Sequence, residues 1–196
     1  KLYTMVLIVL VCTLFSATRR AFLRAGMIAL FGMMFNVYLK SIWQLPLPPE
    51  LNSDSWAFPS GHFQATIVFY GWLLREFSNV RMLIIFCAIA FIEAICLMYF
   101  GFHNSVDIVG AFIAGLITIL LFELLLKSFP KRGEGYLPML FLTLSIIFIA
   151  VVNKEMVVYY YVMPLMTMYA PFYMFVRSGK YQRMVKGWLE RMSKAI

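Results

Sequence analysis

Long apolar runs, separated by short charged or proline-bearing links, leave this chain few folds to choose from. The runs cover about residues 2–17, 22–39, 60–74, 82–100, 105–126, 136–152 and 156–176. A helix needs roughly 20 residues, range about 17–25, to cross the hydrocarbon. The first and third runs are therefore short; each borrows a turn from its flanks or sits where the bilayer thins. Backbone polar groups in lipid must be satisfied internally, so an all-α bundle follows. Composition agrees: 63% of the 196 residues are hydrophobic and 13% charged, with mean hydropathy +0.84. A soluble domain is roughly 45–50% apolar. The expected fold is a polytopic membrane helical bundle of about seven transmembrane helices, residues 1–176, followed by a tail at 177–196. Leu2–Ala17 lacks a convincing cleavage site and reads as a retained helix. Cys12, Cys87 and Cys96 all lie inside apolar runs and read as small core residues rather than a disulfide or metal set.

The net charge of +8 is an orientation signal rather than a nucleic-acid footprint. When links are assigned alternately to two sides, one side receives Arg19, Arg20, Arg24, Arg75, Arg81, Lys127, Lys131 and Arg132. The tail adds Arg177, Lys180, Arg183, Lys186, Arg191 and Lys194 to that side. The other side keeps only Lys1, Lys40 and Lys154 of the 17 basic residues. By the positive-inside rule the basic side is cytoplasmic. In the tail, Tyr181, Val185, Trp188, Met192 and Ile196 recur at helical spacing among the basic residues. An amphipathic helix on the anionic cytoplasmic leaflet is expected.

The chain has two histidines, and both fall on the opposite, extracytoplasmic side. His62 stands in Phe58-Pro59-Ser60-Gly61-His62 and His103 in Gly101-Phe102-His103-Asn104-Ser105-Val106-Asp107. Histidine exchanges protons or attacks phosphorus near neutral pH. Ser60 after Pro59 is a good N-cap, Gly61 lets an anion approach the backbone, and the first-turn amides would point at it. His103 and Asp107, spaced i, i+4, share a helix face, where the carboxylate can fix the imidazole tautomer. Lys40 ends the preceding run on the same level. Between them, Pro46, Pro48, Pro49 and Pro59 favour an extended outer loop over helix. Two imidazoles, a carboxylate and an anion nest suit phosphoryl chemistry without a metal or other cofactor. Two interfacial histidines with satisfied hydrogen bonds are the plainer alternative.

These residues resemble the three motifs of the type 2 phosphatidic acid phosphatase superfamily, Lys-x6-Arg-Pro, Pro-Ser-Gly-His and Ser-Arg-x5-His-x3-Asp. The second is complete, as Pro59-Ser60-Gly61-His62. The third is partial, as Cys96-Leu97-x5-His103-x3-Asp107, and so is the first, Lys40 to Pro48. The resemblance spans residues 40–115. It implies His103 as the nucleophile of a phosphohistidine intermediate, Asp107 as its orienting group, and His62 as the acid for the leaving oxygen. It further implies Lys40, Ser60 and Gly61 as phosphate binders. The family arginines fall at Leu47 and Leu97, and Leu45 replaces a frequent third; leucine offers neither charge nor a bidentate fork.

Three functions follow. One is a lipid phosphatase at the extracytoplasmic face of an integral membrane protein, in the inner or plasma membrane if the chain is bacterial. Another is a headgroup phosphotransferase acting on a diester donor, similar to sphingomyelin synthase. The third is a degenerate lipid-binding descendant. The expected partners are a lipid-linked phosphoester and the bilayer, with no nucleic acid. Glu93, in mid-run, reads as a protonated acid hydrogen-bonded in the bundle. Glu123 reads as the partner of Lys127, and Gly110, Ala111, Ala114 and Gly115 as a helix-packing surface.

Overall fold

In the computed structural model, residues 2–13, 18–51, 56–128, 136, 137, 140, 143 and 158–195 are described. These form seven long helices: α1 (Leu2–Cys12), α2 (Arg19–Trp43), α3 (Gly61–Phe77), α4 (Val80–Tyr99), α5 (Ser105–Ser128), α6 (Val158–Arg177) and α7 (Gly179–Ala195). No strand occurs among the described residues; Pro46 and Trp56 form one isolated antiparallel bridge. Three helices, α2, α4 and α5, are long and apolar enough to cross a membrane. The helix expected over 2–17 stops at Cys12, and most of the run at 136–152 lies outside the described residues.

The shortness of α3 has a physical reason. It packs against α2, α4 and α5 and buries Phe63, Gln64, Ala65, Thr66, Ile67, Val68, Phe69, Trp72 and Leu73. A helix enclosed by other helices need not match the lipid in length or apolarity. The outer helices show the reverse. On α4 the buried residue is Glu93, whereas Leu83, Ile84, Phe91, Ile92 and Ile95 are exposed. On α5, Val109, Ile113, Leu116, Leu120 and Leu124 are exposed as well. An apolar patch of this extent is foreign to a soluble surface. Facing lipid tails, it needs no partner.

Missing side chains let the helices meet. A Cβ on Gly115 of α5 would lie 2.7 Å from Ile67 Cγ2 of α3, and one on Gly26 of α2 would lie 2.5 Å from the Tyr169 hydroxyl of α6. That hydroxyl donates to the Leu23 carbonyl at 2.5 Å. Gly110 serves a different neighbour than helix packing suggests. Its vacant Cβ position is taken up by the Phe58 ring, so it seats the loop between α2 and α3 on α5.

Ion pairs between helices gather at one end of the bundle. Arg24 pairs with Glu76 at 2.9 Å. Glu123 meets Lys127 at 3.1 Å as expected, and also takes a two-pronged bond from Arg75, at 3.1 and 2.7 Å. The tail stripe divides on α7: Tyr181 and Val185 are buried, Trp188 and Met192 are exposed, and Ile196 lies outside the described residues.

Candidate functional site

At the other end, the loop between α2 and α3 folds back over the ends of α2, α3 and α5. α2 ends where Gln44 takes a left-handed conformation and donates its amide to the Lys40 carbonyl. Pro46, Pro48 and Pro49 lack the amide that would extend it. The returning segment is tied by the Ala57 amide to the Leu45 carbonyl at 2.7 Å. The Lys40 ammonium, buried beneath this loop, donates to the Trp56 carbonyl. Phe58 packs edge-on against Trp43 and lies over Gly110, and its bond to Pro59 is cis.

Ser60 occupies the N-cap of α3, as expected, but makes no side-chain cap bond. Its hydroxyl is fully buried with no hydrogen-bond partner among the described residues. Its amide donates to the Asp107 carbonyl at 3.2 Å, joining the start of α3 to the start of α5. The space left by the missing Cβ of Gly61 is taken up on one side by Asn36, whose Oδ1 would be 3.0 Å from it. First-turn amides of a helix have no intrahelical acceptor, so this end of α3 remains suited to an anion.

The second histidine is set by two caps in succession. α4 ends at Tyr99, the chain turns at Gly101, φ +70°, and the amides of Phe102 and His103 both donate to the Leu97 carbonyl, at 3.0 and 3.2 Å. Asn104 then caps α5. Its Oδ1 accepts the Asp107 amide at 2.9 Å, and its own amide donates to Asp107 Oδ2 at 3.0 Å. This reciprocal pairing is a capping box. Oδ2 also meets His103 Nδ1 at 3.3 Å, with side-chain exposures of 7% for His103 and 4% for Asp107. With Nδ1 held, Nε2 is the nitrogen left for a reacting atom.

His103 and Asp107 line a cavity of about 630 Å³ together with Leu47, Pro48, Met98 and Asn104. His62, on the first turn of α3, is exposed. Burial pushes the His103 imidazole below its ordinary value, and the Asp107 hydrogen bond pulls it back up. The neighbouring charges of Lys40 and His62 push it down. His103 thus feels Asp107, Lys40 and His62 together. No family model, curated protein or solved structure matches this chain.

The two leucines at the family's arginine positions have different fates. Leu47 faces the cavity, whereas Leu97 packs against the buried cluster of Phe63, Ile67, Ile108 and Ala111 between α3, α4 and α5. Three residues not singled out from the sequence support the site. Asn104 was legible as the first member of Asn-x-x-Asp. Asn36 and Gln64 are buried amides on facing helices, visible in the sequence as polar residues within apolar runs. Asn36 Nδ2 donates to the Pro59 carbonyl at 3.1 Å and to Gln64 Oε1 at 2.9 Å, and Gln64 Nε2 donates to the Gly32 carbonyl at 3.1 Å. Glu93 is buried and hydrogen-bonded as expected, accepting from Thr66 at 2.5 Å.

Proposed function

We propose that this chain is a membrane phosphoester hydrolase or phosphotransferase of the type 2 phosphatidic acid phosphatase kind, acting on a lipid-linked phosphate. The supporting observation is the His103–Asp107 pair at 3.3 Å, sheltered beneath an outer loop and lining a cavity. In the proposed reaction His103 Nε2 attacks phosphorus, forming a P–N bond as the P–O bond to the leaving group breaks. A protonated His62 gives its proton to the departing oxygen. Water or an acceptor hydroxyl then attacks the phosphohistidine. His62 takes the proton of that nucleophile, and the P–N electrons return to Nε2. The Ser60 hydroxyl, the Gly61 amide and Lys40 bind the phosphoryl oxygens. The chain crosses the membrane seven times, with this site extracytoplasmic and α7 on the cytoplasmic leaflet, in accord with the distribution of basic residues.

Within this reading, one feature favours a diester donor. The described residues lining the cavity include no lysine or arginine, Leu47 is among them, and Lys40 is the one cation this reading assigns to the phosphoryl group. A diester carries one negative charge where a monoester carries two, and so needs fewer cations. Purified protein in nanodiscs, given lipid monoesters or diester donors with added hydroxyl acceptors, should turn over the diesters faster. It should also accumulate an acid-labile phosphoenzyme. Both signals should vanish in His103→Ala. Turnover that survives in His103→Ala, or none with any donor in folded protein, would overturn the proposal.

The pH dependence follows from burial. His103 must be unprotonated at Nε2 to attack, and its folded value lies below the ordinary 6.5. The acid limb of kcat/KM, which reports the free enzyme, is expected below pH 6.5. The same depression sets the sign for stability. The contribution of His103 is fully present above pH 6.5 and is lost as pH falls from there through the folded value. A pH–rate profile beside thermal unfolding across the same range checks both.

A further inference from the structure

His62 opens α3 and His103 follows α4, and a polar contact ties these two helices together between apolar surfaces. On α4, Phe86, Ala90, Ala94 and Leu97 pack against the buried cluster of Phe63 and Ile67 from α3 with Ile108 and Ala111 from α5. Glu93 stands within that stripe as the buried residue of α4, and its Oε2 accepts the Thr66 hydroxyl of α3 at 2.5 Å. Thr66 is itself buried, 1% exposed. The proposed reaction uses neither group.

The contact sits one turn from each histidine-bearing segment. Thr66 lies one turn beyond His62 on α3, about 6 Å along the axis. Glu93 lies one turn before Leu97 on α4, and the Leu97 carbonyl accepts the His103 amide at 3.2 Å. A path of direct contacts and single helical turns thus runs from His62 through Thr66, Glu93 and Leu97 to the backbone of His103. Apolar burial is non-directional, whereas a hydrogen bond weakens steeply once its partners leave line. The Thr66–Glu93 bond therefore fixes the height of α3 on α4 more sharply than the surrounding side chains do. A carboxyl inside a membrane-length helix is costly in lipid, and an apolar pair of the same shape would join the two helices without that cost. Stability alone does not call for Glu93.

We infer that Glu93 is a positioning residue: through Thr66 it sets the height of α3 against α4, and with it the reach of His62 toward the oxygen leaving phosphorus as His103 attacks. This role rests on the proposed reaction and adds a consequence that packing does not share. A misplaced acid slows the departure of an oxygen that needs a proton. It leaves untouched a group that departs as a stable anion.

The test uses the full chain in nanodiscs with two lipid phosphodiesters, one expelling an alkyl alcohol and one expelling p-nitrophenolate. Phosphoenzyme formation is timed in the first turnover, before His62 acts as a base. In T66V/E93L the alkyl donor is expected to react about 30-fold more slowly and the p-nitrophenyl donor within about threefold of wild type, since general acids typically contribute about 10²–10⁴-fold. Thermal unfolding should stay near wild type, because both partners become apolar together. E93Q keeps an acceptor oxygen and T66S a hydroxyl, so each should hold the alkyl rate within about threefold of wild type. H62A should show the same selectivity in larger form, and adding T66V/E93L to it should slow neither donor further. If T66V/E93L fails to fold, T66V alone carries the same comparison. Equal slowing of both donors in the folded variant overturns the role, as does slowing of neither, or further slowing of the alkyl donor on top of H62A. A folded wild type silent with both donors, or a phosphoenzyme that persists in H103A, overturns the reaction itself, and the role of Glu93 falls with it.

Discussion

Asp107→Asn is expected to lower kcat by about 10³–10⁴ while costing only about 1 kcal/mol of stability. Asp107 Oδ2 does two jobs at once, accepting the Asn104 amide at 3.0 Å and meeting His103 Nδ1 at 3.3 Å. A carboxamide has one oxygen and one NH₂. If its oxygen serves the cap, its NH₂ faces His103 and requires Nδ1 to accept. The ring proton then sits on Nε2, the nitrogen that must attack. The helix keeps most of its cap and the reaction loses its nucleophile. Asn104→Ala separates the two roles from the other side. It removes the bond to the Asp107 amide but leaves the carboxylate beside His103. Thermal unfolding should fall by about 1 kcal/mol, with kcat within about tenfold. Should Asp107→Asn and Asn104→Ala lower stability equally with no difference in kcat, Asp107 would be a cap and nothing more.

The start of α3 and the level of His103 were legible because their signals are local. A proline before Ser60, a glycine at Gly101 and an i, i+4 pair at His103 and Asp107 each act within a turn of themselves. The fate of Leu97 was not legible, because which face of α4 meets α3 depends on packing between runs of nearly uniform apolarity. Glu93 escaped that uniformity, because a carboxyl in mid-run is costly in lipid, and it is the buried residue of α4. Gly110 shows the limit from another direction. Its place among small residues suggested a neighbouring helix, yet the group that fills the gap is Phe58, from a loop distant in sequence. The role of Gly61 also depends on a remote partner, since Asn36 comes from α2. Arg75 joined Glu123 and Lys127 because α3 and α5 run side by side, which no spacing within one helix reveals.

The amides Asn36 and Gln64 should separate stability from function in a way a simple packing pair would not. Asn36→Leu strands two buried acceptors, the Pro59 carbonyl and Gln64 Oε1. Each such orphan costs about 1–3 kcal/mol, so a loss of about 2–4 kcal/mol is expected. Gln64→Leu is milder. The Gly32 carbonyl it abandons lies within α2, and Asn36 Nδ2 still has Pro59 to bond. In the double variant Asn36→Leu/Gln64→Leu the orphaned Gln64 oxygen is gone, leaving only the Pro59 carbonyl. Its loss of stability should therefore be smaller than the sum of the single losses by about 1 kcal/mol or more, a coupling that a double-mutant cycle reads directly. Activity should not recover with it. Asn36 is the group that anchors the Pro59 carbonyl, one residue before Ser60 and three before His62, and the double variant restores no substitute. A loosened turn moves His62 and the first-turn amides of α3 together, and a misplacement of about 1 Å can cost 10²-fold. Thermal unfolding of the four proteins, beside kcat on the fastest donor, decides the matter. If kcat returns to the Gln64→Leu value in the double variant, the amides only fill the core. If stability recovers while kcat stays low, Asn36 is the residue through which α2 positions the Pro-Ser-Gly-His turn.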